Sequence, residues 1–300
     1  MVKENIWMLP APDATGHFVR VRSDLRLHVV TTGPHDGSPV ILLHGFPEFW
    51  WTWRHLLRFL DQHGFRAIAP DLRGYNYSDK PSGGYDPETI ADDIVRLMDA
   101  MGYQTATIVG HDFGGTVAYT MALCFPDRVK DLITINSLHP AKWPNSRSNG
   151  KAVMHILSIM AALFDRTAPF VLNTINHAVG IGQLMMWTAS NREALRDDIR
   201  YAYSSAYERG SETASNYVHD TTVWLRDRLP ENRKIFKPVL VLWSENDITA
   251  PRRLLQNIEK SIPNVKVVTI PACGHLPQEE HPDFLNREVL RFLKRQPSDQ

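Results

Sequence analysis

Strand-like residues, a glycine-rich turn and helix-like residues follow one another in this chain, and this succession constrains its fold most. Residues 106–109 form a short apolar run, as in buried strands, and residues 115–124 have a helical pattern. Between them, residues 110–115 read GHDFGG. Glycines on both sides of Asp112 allow a sharp turn that presents its side chain at the end of the strand. Because an ionised carboxylate attacks carbon without the help of a base, Asp112 is a candidate nucleophile.

Other apolar runs predict that this strand belongs to a mostly parallel β-sheet flanked by helices, which is an α/β fold. The runs lie at 40–43, 65–69, 107–110, 132–135, 239–243 and 265–268, and helical patterns lie at 50–61, 87–101, 115–124 and 282–293. Alternating residues at 18–21 and 25–30 predict half-buried antiparallel strands. Residues 139–230 show short helical patterns and no clear strand. We therefore expect a core of residues 1–138 and 231–300 with a helical insertion at 139–230.

Charge and composition exclude several classes of function. The chain has 33 basic and 33 acidic residues and no basic stripe with interleaved aromatics, so nucleic-acid binding is not expected. Two cysteines, Cys124 and Cys273, suggest neither a disulfide framework nor a metal site. The longest nearly apolar run, 152–164, is shorter than the roughly 20 residues of a membrane span. We expect a cytoplasmic protein without a membrane span.

Two further candidate catalytic residues follow predicted strands. Asp247 comes just after the run at 239–243, and His275 comes just after the run at 265–268. The carboxyl ends of parallel strands meet at one edge of a sheet, so both side chains are expected near Asp112. The order of nucleophile, acid and histidine predicts a catalytic triad of Asp112, Asp247 and His275.

A loop after the run at 40–43 supplies a candidate oxyanion hole. Its sequence is HGFPE at residues 44–48. The backbone N–H groups of Phe46 and of Phe113, which follows the nucleophile, are the expected donors. The Phe46–Pro47 bond is a candidate for the cis form. We expect Glu48 to act as a cap or ion-pair residue, and His111 to pack or form hydrogen bonds near the turn.

Taken together, these motifs resemble those of the α/β-hydrolases with an aspartate nucleophile, namely the epoxide hydrolases and the haloalkane and haloacetate dehalogenases. The matching segments are HGFPEFW at 44–50, WR at 53–54, DLRGY at 71–75, SDKP at 78–81 and GHD at 110–112. The resemblance implies an α/β-hydrolase fold in which the insertion is a helical cap. It also implies a two-step reaction. Asp112 forms an alkyl-enzyme ester, and a water activated by His275, which Asp247 orients, hydrolyses it.

The subfamilies differ in how they treat the leaving group. Haloalkane dehalogenases commonly hold the halide with a tryptophan after the nucleophile, whereas Phe113 has no side-chain donor. Haloacetate dehalogenases place an arginine there. Epoxide hydrolases use a pair of cap tyrosines as acids, and among the tyrosines of the insertion we expect Tyr217 first and Tyr207 second. Tyr201 and Tyr203 also lie in the insertion, and the other candidate donors are His139, His155 and His219.

The expected reaction is the hydrolysis of an epoxide to a vicinal diol, with no cofactor and no metal. Apolar and aromatic insertion residues favour a small apolar or amphipathic organic substrate: Met154, Met160, Phe164, Phe170, Met185, Met186 and Trp187. One alternative is a haloalkane or haloacid dehalogenase. Another, of a different class, is a catalytically inactive α/β-hydrolase-like binding protein. Assembly as a homodimer stays open.

Overall fold

Eight strands in the described part of the chain form one sheet. The computed structural model describes residues 14–140, 185–210, 213–227, 234–250 and 252–295. The strands are β1 (Thr15–Arg22), β2 (Leu25–Thr32), β3 (Pro39–Leu43), β4 (Arg66–Pro70), β5 (Ala106–His111), β6 (Val129–Ile135), β7 (Val239–Ser244) and β8 (Val265–Ile270). Their order in the sheet is β1-β2-β4-β3-β5-β6-β7-β8. Each predicted strand is present.

Strand direction follows the apolar patterns. β1 and β2 pair antiparallel, as do β2 and β4, while every pair from β4 to β8 is parallel. The parallel strands β5 and β7 are buried throughout, because helices cover both faces of the sheet. β1 and β8 are the two edge strands, and β1 exposes much of its outer face. The predicted mostly parallel sheet with an antiparallel pair is confirmed.

Helices follow the predicted segments closely. Their bounds are α1 (Arg54–Gln62), α2 (Pro87–Ala100), α3 (Asp112–Cys124), α4 (Asp197–Glu208), α5 (Ala214–Asp227), α6 (Pro277–Glu280) and α7 (Pro282–Leu293). α1 is preceded by a 3₁₀ turn, Trp50–Trp53, within the segment predicted as one helix. α3 begins at Asp112, three residues before its predicted start. None of the described helices is both long and apolar enough to cross a membrane.

Two apolar clusters cover the two faces of the sheet. One contains the apolar stripe of α2, with Ile90, Ile94 and Leu97, and residues of α3. The other contains residues of α1 and of α7, among them Leu285 and Val289. Asp86 caps α2 by accepting hydrogen bonds from Glu88 and Thr89, and Pro87 occupies its first turn. The layers leave the carboxyl ends of the parallel strands as the edge where a site can form.

The predicted insertion contributes α4 and α5 to the described residues, with no strand among them. Its backbone lies directly on the core, since a Cβ atom at Gly210 would be 2.2 Å from the carbonyl oxygen of Gly74. Thr213 also donates a hydrogen bond to that oxygen, at 3.2 Å. The domain boundaries stay a prediction. His155 and four of the proposed pocket residues, Met154, Met160, Phe164 and Phe170, lie outside the described residues.

Candidate active site

The turn between β5 and α3 presents Asp112 at the edge of the sheet. Asp112 has a φ of +48°, in the left-handed region that side chains rarely adopt. Glycines are required around it because there is no room for a side chain at these positions. A Cβ at Gly110 would be 2.4 Å from the carbonyl oxygen of Gly114, and one at Gly114 would be 2.3 Å from the carbonyl oxygen of Leu43. The turn therefore closes tightly against β3 and fixes the direction of the Asp112 side chain.

The structure brings the three predicted triad residues together. His275 follows β8, and its Nδ1 atom lies 2.8 Å from Oδ2 of Asp247, which follows β7. Its Nε2 atom lies 3.4 Å from Oδ2 of Asp112. The carboxylates thus contact opposite sides of one imidazole ring, the arrangement required to orient a histidine beside a nucleophile.

Backbone donors surround the Asp112 carboxylate on the side of β3. The N–H group of Phe46 donates to Oδ1 of Asp112 at 3.1 Å, and the Phe46–Pro47 peptide is cis. Gly45 allows this approach, because a Cβ there would lie 2.7 Å from Cβ of Asp112. Phe113 is the second residue of α3, where backbone N–H groups have no acceptor within the helix. One predicted oxyanion donor therefore already contacts the nucleophile, and the other stays a prediction.

The charges in the triad stabilise one another. Burial alone would raise the pKa of Asp112, but the hydrogen bond to His275, the charges of His275 and His111, and the Phe46 N–H together lower it to about 2. Burial would lower the pKa of His275, yet Asp247 and Asp112 raise it well above its usual value. Burial would also raise the pKa of Asp247, and the charge of His275 reverses that effect. The site thus contains an imidazolium between two carboxylates.

A buried histidine–glutamate pair lies beside Asp112. Nδ1 of His111 is 2.8 Å from Oε2 of Glu48, and both side chains are fully buried. Nε2 of His111 donates to the carbonyl oxygen of His275 at 2.8 Å. Glu48 also accepts from the N–H of Gly45 and from the Thr52 hydroxyl. The pair therefore joins the oxyanion loop, the Asp112 turn and the His275 loop. Sequence reasoning suggested a role for each residue but missed their pairing.

Three supporting residues were missed by sequence reasoning. The backbone and hydroxyl of Thr249 both donate to Oδ1 of Asp247. The Asn136 side chain donates to the carbonyl oxygen of His275 at 3.0 Å, and the hydroxyl of Ser137 donates to that of Asp112 at 2.7 Å. An Asp followed two residues later by Thr is a turn signal that could have identified Thr249. No sequence signal identifies the other two.

The two candidate leaving-group acids lie near the oxyanion loop and the Asp112 turn. The Tyr217 ring packs against Phe113 at 5.0 Å between centroids, and its hydroxyl donates to the carbonyl oxygen of Arg73 at 2.5 Å. The Tyr207 ring packs against Phe46 at 6.1 Å. Burial raises the pKa of both hydroxyls, so both remain protonated at neutral pH.

The remaining candidates from the insertion lie in different environments. Tyr203 donates to Glu279 at 2.7 Å, and the side chains of Tyr201 and His219 are mostly exposed. His139 is buried beside the ring of Tyr119. Of the pocket residues, Met185 is buried, Met186 is partly buried and Trp187 is exposed.

Sequence reasoning also missed Tyr75 as a possible site residue. Its ring packs against His44 at 4.8 Å and against Tyr217 at 4.9 Å. Its hydroxyl is buried and has no hydrogen-bond partner among the described residues. Burial raises the pKa of this hydroxyl, and the charge of Asp112 raises it further. Phe46, Phe113, Tyr75, Tyr207 and Tyr217 therefore form an aromatic group around the nucleophile loops.

Comparison with known proteins identifies several similar chains. Residues 38–282 match the family described as alpha/beta hydrolase fold. The AB hydrolase superfamily protein YfhM of Bacillus subtilis is 31% identical over 91% of this chain and 96% of its own length. The bifunctional epoxide hydrolase 2 of Rattus norvegicus is 27% identical over 95% of this chain but only 57% of its own length. An epoxide hydrolase from Bacillus megaterium, solved with an inhibitor, is 29% identical, with a TM-score of 0.81 over 93% of this chain and all of that one.

Proposed function

This chain belongs to the α/β-hydrolase family, and we propose that it hydrolyses epoxides to vicinal diols through an ester on Asp112. The predicted fold and family are therefore confirmed, while the reaction and its residues are proposals. The observation that carries the proposal is the position of Asp112. Its carboxylate lies between the N–H of Phe46 and Nε2 of His275, at 3.1 and 3.4 Å. Relatives named as epoxide hydrolases support the same substrate class.

In the first step, a carboxylate oxygen of Asp112 attacks a ring carbon of the epoxide. A C–O ester bond forms, the C–O bond of the ring breaks, and the ring oxygen takes a proton from a tyrosine hydroxyl. Tyr217 and Tyr207 are the proposed acids, because both are buried, protonated and packed against the loops that hold Asp112. The low pKa of Asp112 supports this step, since the nucleophile is ionised without a base.

In the second step, water attacks the carbonyl carbon of the ester. His275 takes a proton from the water, and Asp247 stabilises the resulting imidazolium. The negative charge develops on an ester oxygen near the Phe46 N–H, with Phe113 as the second proposed donor. The bond between this carbon and the substrate oxygen then breaks, the departing oxygen takes the proton that remained on the water-derived hydroxyl, and the diol is released. Asp112 returns as a carboxylate with one oxygen from water.

The charge of Asp112 links the two steps. His275 is cationic while both neighbouring carboxylates are ionised. Ester formation removes the charge of Asp112, and one of the two anions that raise the pKa of His275 is lost. Ring opening leaves the tyrosine that donated its proton as a phenolate, and the proton released by the imidazolium restores its hydroxyl in the same turnover. The imidazole is then neutral when it must act as a base.

The insertion at 139–230 is proposed to be the cap that encloses the substrate. The packing of α4 and α5 on the core and the close approach of Gly210 to Gly74 support this role. The aromatic group of Phe46, Phe113, Tyr75, Tyr207 and Tyr217 favours a small apolar or amphipathic substrate. The proposed chemistry requires no cofactor.

The decisive experiment follows both the product and the covalent intermediate. The wild-type protein is incubated with styrene oxide and larger epoxides, and diol is measured by chromatography, while halide release from haloalkanes and haloacetates is measured in parallel. A His275→Gln variant is expected to retain an ester on Asp112, detected by mass spectrometry, and Asp112→Ala is expected to form neither ester nor diol. Folded wild-type protein that yields no diol, with no ester in the variant, would contradict the proposal.

A further inference from the structure

One buried carboxylate binds four backbone N–H groups beside the candidate active site. Glu280, the last residue of α6, is only 7% exposed. Its Oε2 atom accepts from Ser190, Asn191 and Gly274 at 2.8, 2.9 and 3.0 Å. Its Oε1 atom accepts from Leu276 at 3.2 Å. Hydrogen bonds to an ionised acceptor are about twice as strong as neutral ones, so these contacts hold the backbone firmly.

The four donors belong to two different parts of the fold. Gly274 and Leu276 are the neighbours of His275 on either side. Ser190 and Asn191 lie in the proposed cap, just before α4. The N–H of His275 also donates to the carbonyl oxygen of Thr188, at 2.9 Å. The cap segment at 188–191 and the loop of the catalytic histidine are therefore bound to one another and to the same carboxylate.

The close approach of these two segments leaves no room for a side chain at Gly274. A Cβ there would lie 2.5 Å from both the Ser190 nitrogen and the Thr188 carbonyl oxygen. The backbone of the His275 loop thus depends on the cap segment for its position. The imidazole ring extends from this backbone to both triad carboxylates, so a shift of the loop changes the 3.4 Å contact with Asp112.

We propose that Glu280 is a positioning residue, which fixes the position of His275 and makes that position dependent on how the cap packs against the core. This inference rests on the proposed function, because it assigns Glu280 an effect on ester hydrolysis. Ring opening needs the Asp112 carboxylate and a tyrosine acid, whereas hydrolysis needs the imidazole to reach a water. Loss of Glu280 therefore slows the second step more than the first.

The kinetics of a two-step reaction separate this role from a general loss of structure. When ring opening is irreversible, kcat/KM reports only the steps up to ester formation, and slower hydrolysis lowers kcat and KM in the same proportion. In Glu280→Gln, an amide nitrogen replaces one acceptor oxygen. Its N–H donor then faces a backbone N–H donor, and that hydrogen bond is lost. Because small misplacement of a catalytic group costs up to about 100-fold in rate, we expect hydrolysis to slow about 10- to 100-fold. The ester then accumulates during turnover.

Glu279 provides the matched control. It precedes Glu280 on α6, is equally buried, and binds Arg54 and Tyr203 rather than the His275 loop. Glu279→Gln is expected to lower thermal stability without accumulation of ester and without a proportional fall in kcat and KM. A Glu280→Asp variant, which keeps the charge but shortens the side chain, is the second variant if Glu280→Gln does not fold.

The experiment combines rapid-quench mass spectrometry of the ester with amide hydrogen exchange. Glu280→Gln is expected to accumulate ester and to exchange faster at 188–191 and 274–276. Unchanged ester hydrolysis, or a fall in kcat with an unchanged KM, would overturn the inference, as would unchanged exchange in these segments. A wild-type protein that forms neither ester nor diol would instead contradict the proposed function, and the exchange measurement would still test the link between Glu280 and the two segments.

Discussion

His111 contacts an acceptor oxygen through each of its ring nitrogens, and one of these acceptors is the carboxylate of Glu48. The distances are 2.8 Å to Glu48 Oε2 and 2.8 Å to the carbonyl oxygen of His275. A carbonyl oxygen can only accept, so Nε2 of His111 carries a proton and Nδ1 faces the Glu48 carboxyl group. His111 directly precedes Asp112, and Glu48 also accepts from the N–H of Gly45, so the pair joins the Asp112 turn to the oxyanion loop. Burial alone would raise the pKa values of Asp112 and Glu48, and the charge of His111 contributes to lowering both.

The first prediction concerns the stability of this pair. Glu48→Gln removes the carboxylate that contacts the buried His111 ring, and removal of one partner of a buried pair costs about 3–5 kcal/mol. We expect a decrease of that size in the free energy of unfolding, measured by urea denaturation at pH 7. Asp99→Asn is the control, because the Asp99–Arg128 pair is exposed and such pairs contribute about 0–1 kcal/mol. Equal losses in both variants would show that Glu48 and His111 do not form a strongly coupled pair.

The second prediction concerns the orientation of His275. In Asp247→Asn, an amide group replaces the Oδ2 acceptor that contacts Nδ1 of the imidazole. The favoured tautomer then carries its proton on Nε2 and cannot take one from water, a change that reduces turnover by about 10⁴-fold in serine proteases. We expect ester hydrolysis to slow about 10³- to 10⁴-fold, with a smaller effect on ester formation, in single-turnover rapid-quench experiments.

Thr249→Val is the graded comparison for that variant. It removes the hydroxyl, which donates to Oδ1 of Asp247 and lies 2.9 Å from Nδ1 of His275, while the carboxylate and its two backbone donors remain. The expected slowing of hydrolysis is at most about tenfold, since one hydrogen bond to a charged group is worth roughly 1.5 kcal/mol or somewhat more. If Asp247→Asn slows ester formation as much as hydrolysis, Asp247 does not act through His275 alone.

The parts of the site that could be predicted from sequence are those encoded by local patterns. Short apolar runs identify the strands, because parallel strands are buried on both faces. Glycines around Asp112 identify the turn, because the space there excludes side chains. The start of α3 was predicted three residues late, at Gly115. Apolar periodicity does not reveal that the helix begins at Asp112 itself, directly after His111, the last residue of β5.

The contacts that support the triad could not be predicted for a different reason. Glu48 and His111 are 63 residues apart, and the sequence does not specify how their loops face one another. The contacts of Glu280 are with backbone N–H groups, which every residue except proline carries, so no residue type marks them. The hydroxyl of Tyr217 likewise bonds a backbone carbonyl, that of Arg73. Tertiary packing alone determines these partners.

The third prediction concerns stability as a function of pH. The folded-state pKa of His275 is raised, so its charge stabilises the fold fully below its unfolded value of about 6.5, and this stabilisation is lost as the pH rises through the folded value. The pKa of Asp112 is lowered to about 2, so its stabilisation is present above about pH 3.9 and is lost as the pH falls. Both contributions are complete between about pH 4 and 6.5.

His275→Gln tests this dependence. The difference in unfolding free energy between the wild-type protein and the variant is expected to be largest between about pH 4 and 6.5 and to shrink as the pH rises further. Chemical denaturation at pH 5, 7 and 9 measures it, with the same buffer ions and ionic strength at each pH. A difference that is constant from pH 5 to 9 would contradict the raised pKa of His275.

The fourth prediction separates the two proposed acids. Tyr207→Phe and Tyr217→Phe each remove a hydroxyl near the nucleophile, and a general acid contributes about 10²- to 10⁴-fold to the rate of its step. We expect removal of the hydroxyl that acts as the acid to slow ester formation by at least about 10²-fold in single-turnover experiments. If both hydroxyls donate to the ring oxygen, both variants are slowed. Hydrolysis of an ester already formed does not require this proton and is expected to change little.

Stability and a third variant distinguish catalysis from packing in this comparison. Tyr217→Phe also leaves the buried carbonyl of Arg73 without its donor, so it is expected to destabilise the fold by about 1–3 kcal/mol. Tyr201→Phe, at a mostly exposed position of α4, is the control and is expected to leave ester formation unchanged. If Tyr217→Phe lowers stability but forms ester at the wild-type rate, its hydroxyl serves to bind the cap to the core, and Tyr207 remains as the proposed acid.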